Sequence, residues 1–265
     1  MEIIDIHTHT FPDELAPRAL AALLEHSPES HCCTDGTVGG LRESMKKNGI
    51  ARSVLMPIAT KPSQVFTINR TCKDLMSDDC IPFGTLHPLY DKIPEEIGYL
   101  KSIGVKGIKF HPEYQDFYID DKNHFPIYDQ LSHAGLIVLF HAGKDPGPFT
   151  CDHALPDALR RVHENFPELK MVAAHTGGWK VWPEVESVLA GLPVYFDTSA
   201  TSDYYPPELF LRLIRKHGIE RILFGSDSPW FDQGKSRRWI ESLPLKTGEI
   251  EAILGLNARA LLDIK

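Results

Sequence analysis

The sequence predicts an α/β fold, a closed (β/α)8 barrel of parallel strands built as a single domain over residues 1–265. Three observations predict it. Short apolar runs of strand length recur eight times along the chain, and helical patterns fill the intervals between them. Several of the runs end on a His or an Asp, at the strand ends where such barrels gather their polar residues. The length agrees: one barrel commonly takes about 250 residues, and this chain has 265.

In chain order, strands are expected at residues 3–7, 51–57, 81–87, 105–111, 135–141, 169–175, 193–199 and 221–227. The runs LIVLF and RILF are almost continuously apolar, as parallel strands covered on both faces should be. Helices are expected at 39–48, 64–77, 93–102, 126–134, 156–165, 180–190 and 207–216. Several carry Pro at the start or Gly after the end. Residues 247–264 read as a closing helix, capped by Thr247 and striped with Ile250, Ile253, Leu254 and Leu261. Two connections are long, 10–38 and 143–155, and both follow strand C-terminal ends. A doubly wound open sheet is the alternative, but the first strand is followed by no Gly-rich dinucleotide fingerprint.

Composition narrows the function classes. The chain is 42% hydrophobic and 24% charged with a net charge of −8, an ordinary globular balance that offers no broad basic surface for nucleic acid. No apolar run approaches a membrane span, and Met1–Asp5 lacks the basic and apolar regions of a signal peptide, so no membrane role and a cytoplasmic location are expected. Five cysteines without a CxxC pair give no disulfide framework or zinc ribbon. The adjacent Cys32 and Cys33, next to His31, are either a plain loop or a thiol or metal site.

His7 and His9 end the first strand two residues apart, so both side chains can face one ion at the barrel mouth. Alone the pair means little, since 13 His in 265 residues give roughly 0.6 such pairs by chance. Its weight comes from His141, His175 and Asp227, which each end a further apolar run. Imidazoles with a carboxylate suit zinc, manganese or iron. Lys109 shares a strand face with His111, and an inward Lys is costly unless paired. Gly177 and Gly178 precede a helix, so their N–H groups are candidates for an anionic substrate group. Trp179, Trp182, Trp230, Tyr204 and Tyr205 either wall the pocket or pack the rim, and His87 and His111, each before a Pro, are further candidates to touch substrate.

The segments DIHTH, GIKFHP, FHAG, AAHTGG, FGSDSPW and NARALL, in this order, resemble the amidohydrolase superfamily, specifically its amidohydrolase-2 branch of decarboxylase-like and hydrolase members. The resemblance spans nearly the whole chain. It implies His7, His9, His141 and Asp227 as metal ligands and His175 as an acid/base or electrostatic stabiliser. Asp227 would also take a proton from metal-bound water. For Lys109 it leaves two roles. Some relatives carboxylate a fourth-strand Lys to bridge two metals, with His175 joining His141 on the second ion. The other role, preferred here with one ion, is an ammonium that binds a substrate carboxylate or carbonyl; a Lys109 turned out to solvent is the bland alternative. TatD-like nucleases also carry an HxH pair but resemble a pattern with Glu at the fourth strand, where this chain has GIKFHP.

The function expected is a metal-dependent hydrolase, most readily with zinc, acting through activated water on an amide, lactone or related bond of a small molecule. The alternatives are a metal-dependent decarboxylase or hydratase of a small carboxylate, and a barrel that binds metal or ligand without catalysis. Catalytic roles fall to Asp227, His175 and Lys109. The partner expected is a small molecule, with a carboxylate among the candidates, and a homodimer is one expected assembly.

Overall fold

The computed structural model describes residues 1–26 and 31–264. Its strand segments are β1 (Ile4–Thr8), β2 (Arg52–Leu55), β3 (Cys80–Pro82), β4 (Gly84–Thr85), β5 (Gly107–Phe110), β6 (Ile137–Phe140), β7 (Met171–Ala173), β8 (Tyr195–Asp197) and β9 (Ile222–Leu223). Every pairing is parallel, in the orders β1-β2-β3 and β4-β5-β6-β7-β8-β9. β3 and β4 are one stave interrupted at Phe83, whose N–H donates to Leu55 O at 2.9 Å. The ring closes between β9 and β1: Ile6 N–H donates to Phe224 O and Asp227 N–H to His7 O, both at 2.9 Å. Closure leaves no sheet edge, so the fold is the eight-staved barrel and not an open doubly wound sheet.

The interior is packed. Val54, Met56, Phe83, Ile137, Leu139, Val172 and Leu223 meet in one buried cluster with Ile4 and Ile6. The alternate residues Leu55, Ile108, Val138, Phe140, Phe196, Ile222 and Phe224 belong to a second cluster shared with the helices. This is the period-two division of a barrel strand. It breaks in β1, where the register slips between Asp5 and Thr8. Asp5 accepts from Gln233 Nε2 at 2.8 Å and from Ser226 N–H at 3.0 Å, Ile6 enters the inner cluster, and His7 still turns to the residues of the mouth. Bulges of this kind re-aim side chains beside functional sites.

The expected helices form with small shifts: Val38–Asn48, Val65–Leu75, Ile93–Ser102, Phe125–Ala134, Pro156–Asn165, Trp182–Val188 and Pro207–His217. Thr37 Oγ1 accepts from Gly40 N–H at 2.9 Å to cap the first of these, and Gly49 ends it at φ 65°. The closing segment is not one regular helix. A π-helical turn, Ala252–Leu256, separates Thr247–Glu251 from Asn257–Leu262. Two helices occupy stretches that the periodicity leaves as connections: Ala16–His26, inside 10–38, and Gln233–Ser242, after the last strand. Among the described residues, no helix is long and apolar enough to cross a membrane.

Candidate metal centre and active site

The mouth is assembled at the C-terminal ends of the staves, and its ligands arrive from β1 and from the turn after β9. His9 Nδ1 lies 2.8 Å from Met56 O. A carbonyl only accepts, so Nδ1 carries a proton, and in the neutral ring Nε2 is the free acceptor. His7 Nδ1 lies 2.9 Å from Asp197 Oδ2, a carboxylate oxygen, and the same logic leaves His7 Nε2 bare. These two nitrogens are 3.2 Å apart, and Asp227 Oδ1 sits 3.3 Å from His9 Nε2 and 3.6 Å from His7 Nε2. Acceptors this close repel one another unless positive charge is shared among them, and Lys109 Nζ, 3.1 Å from His7 Nε2, reaches only one of the three. Ligands at about 2.1 Å from one tetrahedral ion stand about 3.4 Å apart, so both spacing and chemistry fit a divalent metal.

Backbone strain aims two of these groups. Asp227 has φ 72°, with its N–H held by His7 O. Gly225, two residues earlier, leaves room that a Cβ would fill at 3.1 Å from His7 Cβ and 3.3 Å from Asp197 Cβ. His175 and Thr176 have φ 58° and 56°, uncommon for side-chain-bearing residues. Ala174 belongs to the inner cluster, so regular alternation would turn His175 away from the mouth; the left-handed turn brings it back. The turn is tied down by His175 N–H to Asp197 Oδ1 at 3.1 Å, Thr176 N–H to Asp197 O at 2.6 Å, and Trp182 Nε1–H to His175 O at 3.0 Å.

Lys109 is fully buried and points inward, with Nζ 3.1 Å from His7 Nε2. The solvent-facing alternative is thereby excluded. Burial lowers its ammonium to about 8, while Asp197 and Asp227 pull the other way, so it stays largely charged at neutral pH. Burial pushes Asp227 and Asp197 up, yet the neighbouring imidazoles, where they carry a proton toward the carboxylates, outweigh it and hold both carboxyls below the usual range. His175 is lowered to about 4, mainly by burial, and is neutral at working pH.

The structure brings His7, His9 and Asp227 into one group of potential ligands and places His141 in a neighbouring one, with His111 and Asp145. His175 joins the two: its Nε2 is 3.0 Å from His141 Nδ1, and its ring is 5.2 Å from that of His7. His141 stacks on His111 at 4.1 Å, and both Nε2 atoms lie 3.5 Å from Asp145 Oδ2. Glu113 Oε2 adds a buried oxygen 3.9 Å from His141 Nε2. Burial raises Asp145 to about 6 and Glu113 to about 7.

Several pocket residues read from the sequence take other roles. Gly177 and Gly178 do not offer free N–H groups: they donate to Ala173 O and His175 O, each at 3.3 Å, because the turn folds back on β7 before the helix begins at Trp182. Trp182 stacks on Tyr205 at 4.5 Å and both are buried packing residues. Trp179, Tyr204 and Phe231 do line up edge to face, with Lys180 Nζ 4.1 Å over Trp179. His87 accepts from Leu89 N–H in its own turn, whereas His111 joins the second group. The Cys32–Cys33 stretch is a loop with free thiols, anchored by Cys33 N–H on Pro229 O. Asp197, Ser199, Glu113 and Asp145 were not singled out from the sequence. Asp197 carried a readable signal, a carboxylate closing the run VYF.

Known proteins agree with this architecture. A dihydroorotase of Mycosarcoma maydis is 26% identical over 175 residues, covering 55% of this chain and 44% of that protein, so the chain spans less than half the length of the curated relative it matches. The 5-carboxyvanillate decarboxylase of Sphingomonas paucimobilis superposes with a TM-score of 0.75 at 15% identity, covering 100% of this chain and 99% of that one. A dihydroxybenzoic acid decarboxylase from Polaromonas, solved with manganese and the inhibitor 2-nitroresorcinol, gives 0.78 at 15% identity over 99% and 97%. At such identities the likeness is one of fold. The family profile described as Amidohydrolase matches residues 4–264, and the chain belongs to that family, in its amidohydrolase-2 branch.

Proposed function

We propose that this chain is a metal-dependent lyase that decarboxylates a small carboxylic acid without oxidation. The observation that carries the reading is a pairing at one mouth: the set His7, His9 and Asp227, whose spacing suits a divalent cation, and the buried Lys109 ammonium 3.1 Å from His7 Nε2. Together they favour an anionic substrate. The fold likeness to two decarboxylases, one of them holding manganese, supports it.

His7, His9 and Asp227 hold the ion in this reading, with His141 as the further ligand the family pattern implies. Manganese, zinc and iron all suit the donors. The bound ion supplies a Lewis acid that stabilises negative charge on a substrate oxygen. Lys109 binds the substrate carboxylate or the oxygen on which charge develops. His175, neutral and bare or protonated at Nε2, moves a proton at that nitrogen. The buried walls exclude water and so strengthen each of these interactions.

Hydrolysis is the second reading. Asp227, held as a carboxylate 3.3 Å from His9 Nε2, stands where a proton acceptor for attacking water is needed, and the dihydroorotase relative points the same way. Products separate the two. The manganese-loaded protein, offered hydroxybenzoates and other small carboxylates, should release carbon dioxide with no uptake of oxygen from labelled water. Opening of lactams or lactones with label incorporation, and no carbon dioxide from any acid, overturns the lyase reading. Lys109→Met should raise KM for the carboxylate at least tenfold; an unchanged KM removes Lys109 from substrate binding.

A further inference from the structure

Asp197 closes β8, is fully buried, and touches the His7 imidazole through one oxygen and the His175 backbone through the other. Oδ2 accepts from His7 Nδ1 at 2.9 Å. Oδ1 accepts from the backbone N–H of His175 at 3.1 Å and of Ser199 at 3.0 Å, and it lies in short contact with Ser199 Oγ. A hydroxyl has one proton, and here the carboxylate takes it. Ser199 Oγ is then left as an acceptor toward His175 Nδ1, 2.8 Å away. The second neighbour of that nitrogen is Ser199 O at 3.2 Å, a carbonyl that can only accept. His175 therefore carries its proton on Nδ1, and its Nε2 carries none and accepts from His141 Nδ1, 3.0 Å away.

We propose that Asp197, acting directly on His7 and through Ser199 on His175, is a positioning residue that locks both rings as Nδ1–H tautomers with Nε2 turned to the mouth. One carboxylate thus orients a metal ligand and the residue that handles the proton, and it also pins the left-handed backbone turn that presents His175. The His7 half rests on the metal reading given above; the His175 half stands without it. The assignment gives His175 a direction: it starts each turnover as a base at Nε2, not as an acid.

Ring nitrogens of the 15N-labelled metal-free protein decide the matter, with His175→Gln used to assign the signals. Wild type should show His175 protonated at Nδ1. Ser199→Ala, which removes the nearer acceptor of Nδ1 but keeps the backbone carbonyl at 3.2 Å, should raise the Nε2–H fraction while zinc affinity, read by competition with a chromophoric chelator, stays within threefold. Asp197→Asn keeps the shape but removes one acceptor oxygen, and zinc affinity should fall about 10- to 100-fold with the circular dichroism unchanged. A His175 found as Nε2–H in wild type, or wild-type zinc affinity in a folded Asp197→Asn, overturns the proposal. Should Asp197→Asn fail to fold, the tautomers of wild type and Ser199→Ala still decide it. Wild type that binds no zinc defeats the metal reading, and the His175 tautomer then judges the relay alone.

Discussion

Removing His9 should abolish the stabilisation of this protein by metal. His9 is the ligand best suited to the test because its side chain is 12% exposed and its other nitrogen bonds only Met56 O, so His9→Ala leaves the buried Asp197 network intact. An ion present at 100 times its Kd adds about 2.7 kcal/mol to a folded state that alone binds it. The unfolding entropy of about 2.1 cal/mol/K per residue, over 265 residues, is about 0.6 kcal/mol/K, so the metal-free protein should gain about 5 °C in Tm on adding manganese. A hundredfold loss of affinity in His9→Ala brings the same concentration to about Kd, leaving about 0.4 kcal/mol and under about 1 °C. The assay is differential scanning calorimetry after chelation and readdition of metal. His133→Ala, which removes a histidine whose side chain is 78% exposed on a helix, is the control and should keep the whole shift. A 5 °C shift retained in His9→Ala, or lost in His133→Ala, refutes the assignment of the ion to this group.

Two further outcomes test the scaffold. His217 is 2% exposed, stacked on Phe196 at 3.8 Å, and lowered by burial to about 4. Its depressed value means that stability is complete above the unfolded value of about 6.5 and is lost as pH falls toward 4, on the order of 2 kcal/mol between pH 7.5 and 4.5. Urea unfolding of wild type against His217→Asn should show that difference narrowing by this amount in acid; a difference independent of pH counts against it. Gly143 has φ 86°, and a Cβ there would stand 2.3 Å from Trp179 N. Gly143→Ala should cost at least about 3 kcal/mol, as strain and overpacking add, and a variant within about 1 kcal/mol of wild type by the same method would show that the 143–155 segment yields freely.

The barrel was legible because eight apolar runs at a regular beat leave few other ways to bury their faces. The elements missed or altered have local causes. Ala16–His26 and Gln233–Ser242 sit inside barrel connections, where the strand–helix beat gives no cue. The π turn in the closing helix lies where the chain packs on the N-terminal strand: a Cβ at Gly255 would meet Glu2 O at 2.1 Å. At the site, His7, His9, His175 and Asp227 were found as polar ends of apolar runs, but how they face the mouth was not. The β1 register slip and the positive φ of His175 and Asp227 are departures from strand periodicity. No count of alternating residues reveals them. Alternation thus picks out residues that meet at the mouth, but does not explain how they get there.

His141 shows what hydrogen-bond arithmetic adds to such patterns. Between Asp197 and Lys144 O, both acceptors only, run Ser199, His175 and His141, linked by four contacts of 3.2 Å or less. Three neutral groups bring three protons. Four contacts share those three protons, so one end goes short: Lys144 O draws a proton to His141 Nε2 as Met56 O does at His9, but if Asp197 takes the first and Nδ1 of each ring the others, His141 Nε2 reaches Lys144 O at 3.0 Å as a bare lone pair facing an oxygen. That contact is unfavourable until a cation or an additional proton arrives at His141 Nε2. In this row the strand-end histidine that sequence pattern nominates as a ligand is thus the group left short of positive charge. This deficit, more than its distance from His7 and His9, is the physical ground for keeping His141 in the proposed ligand set.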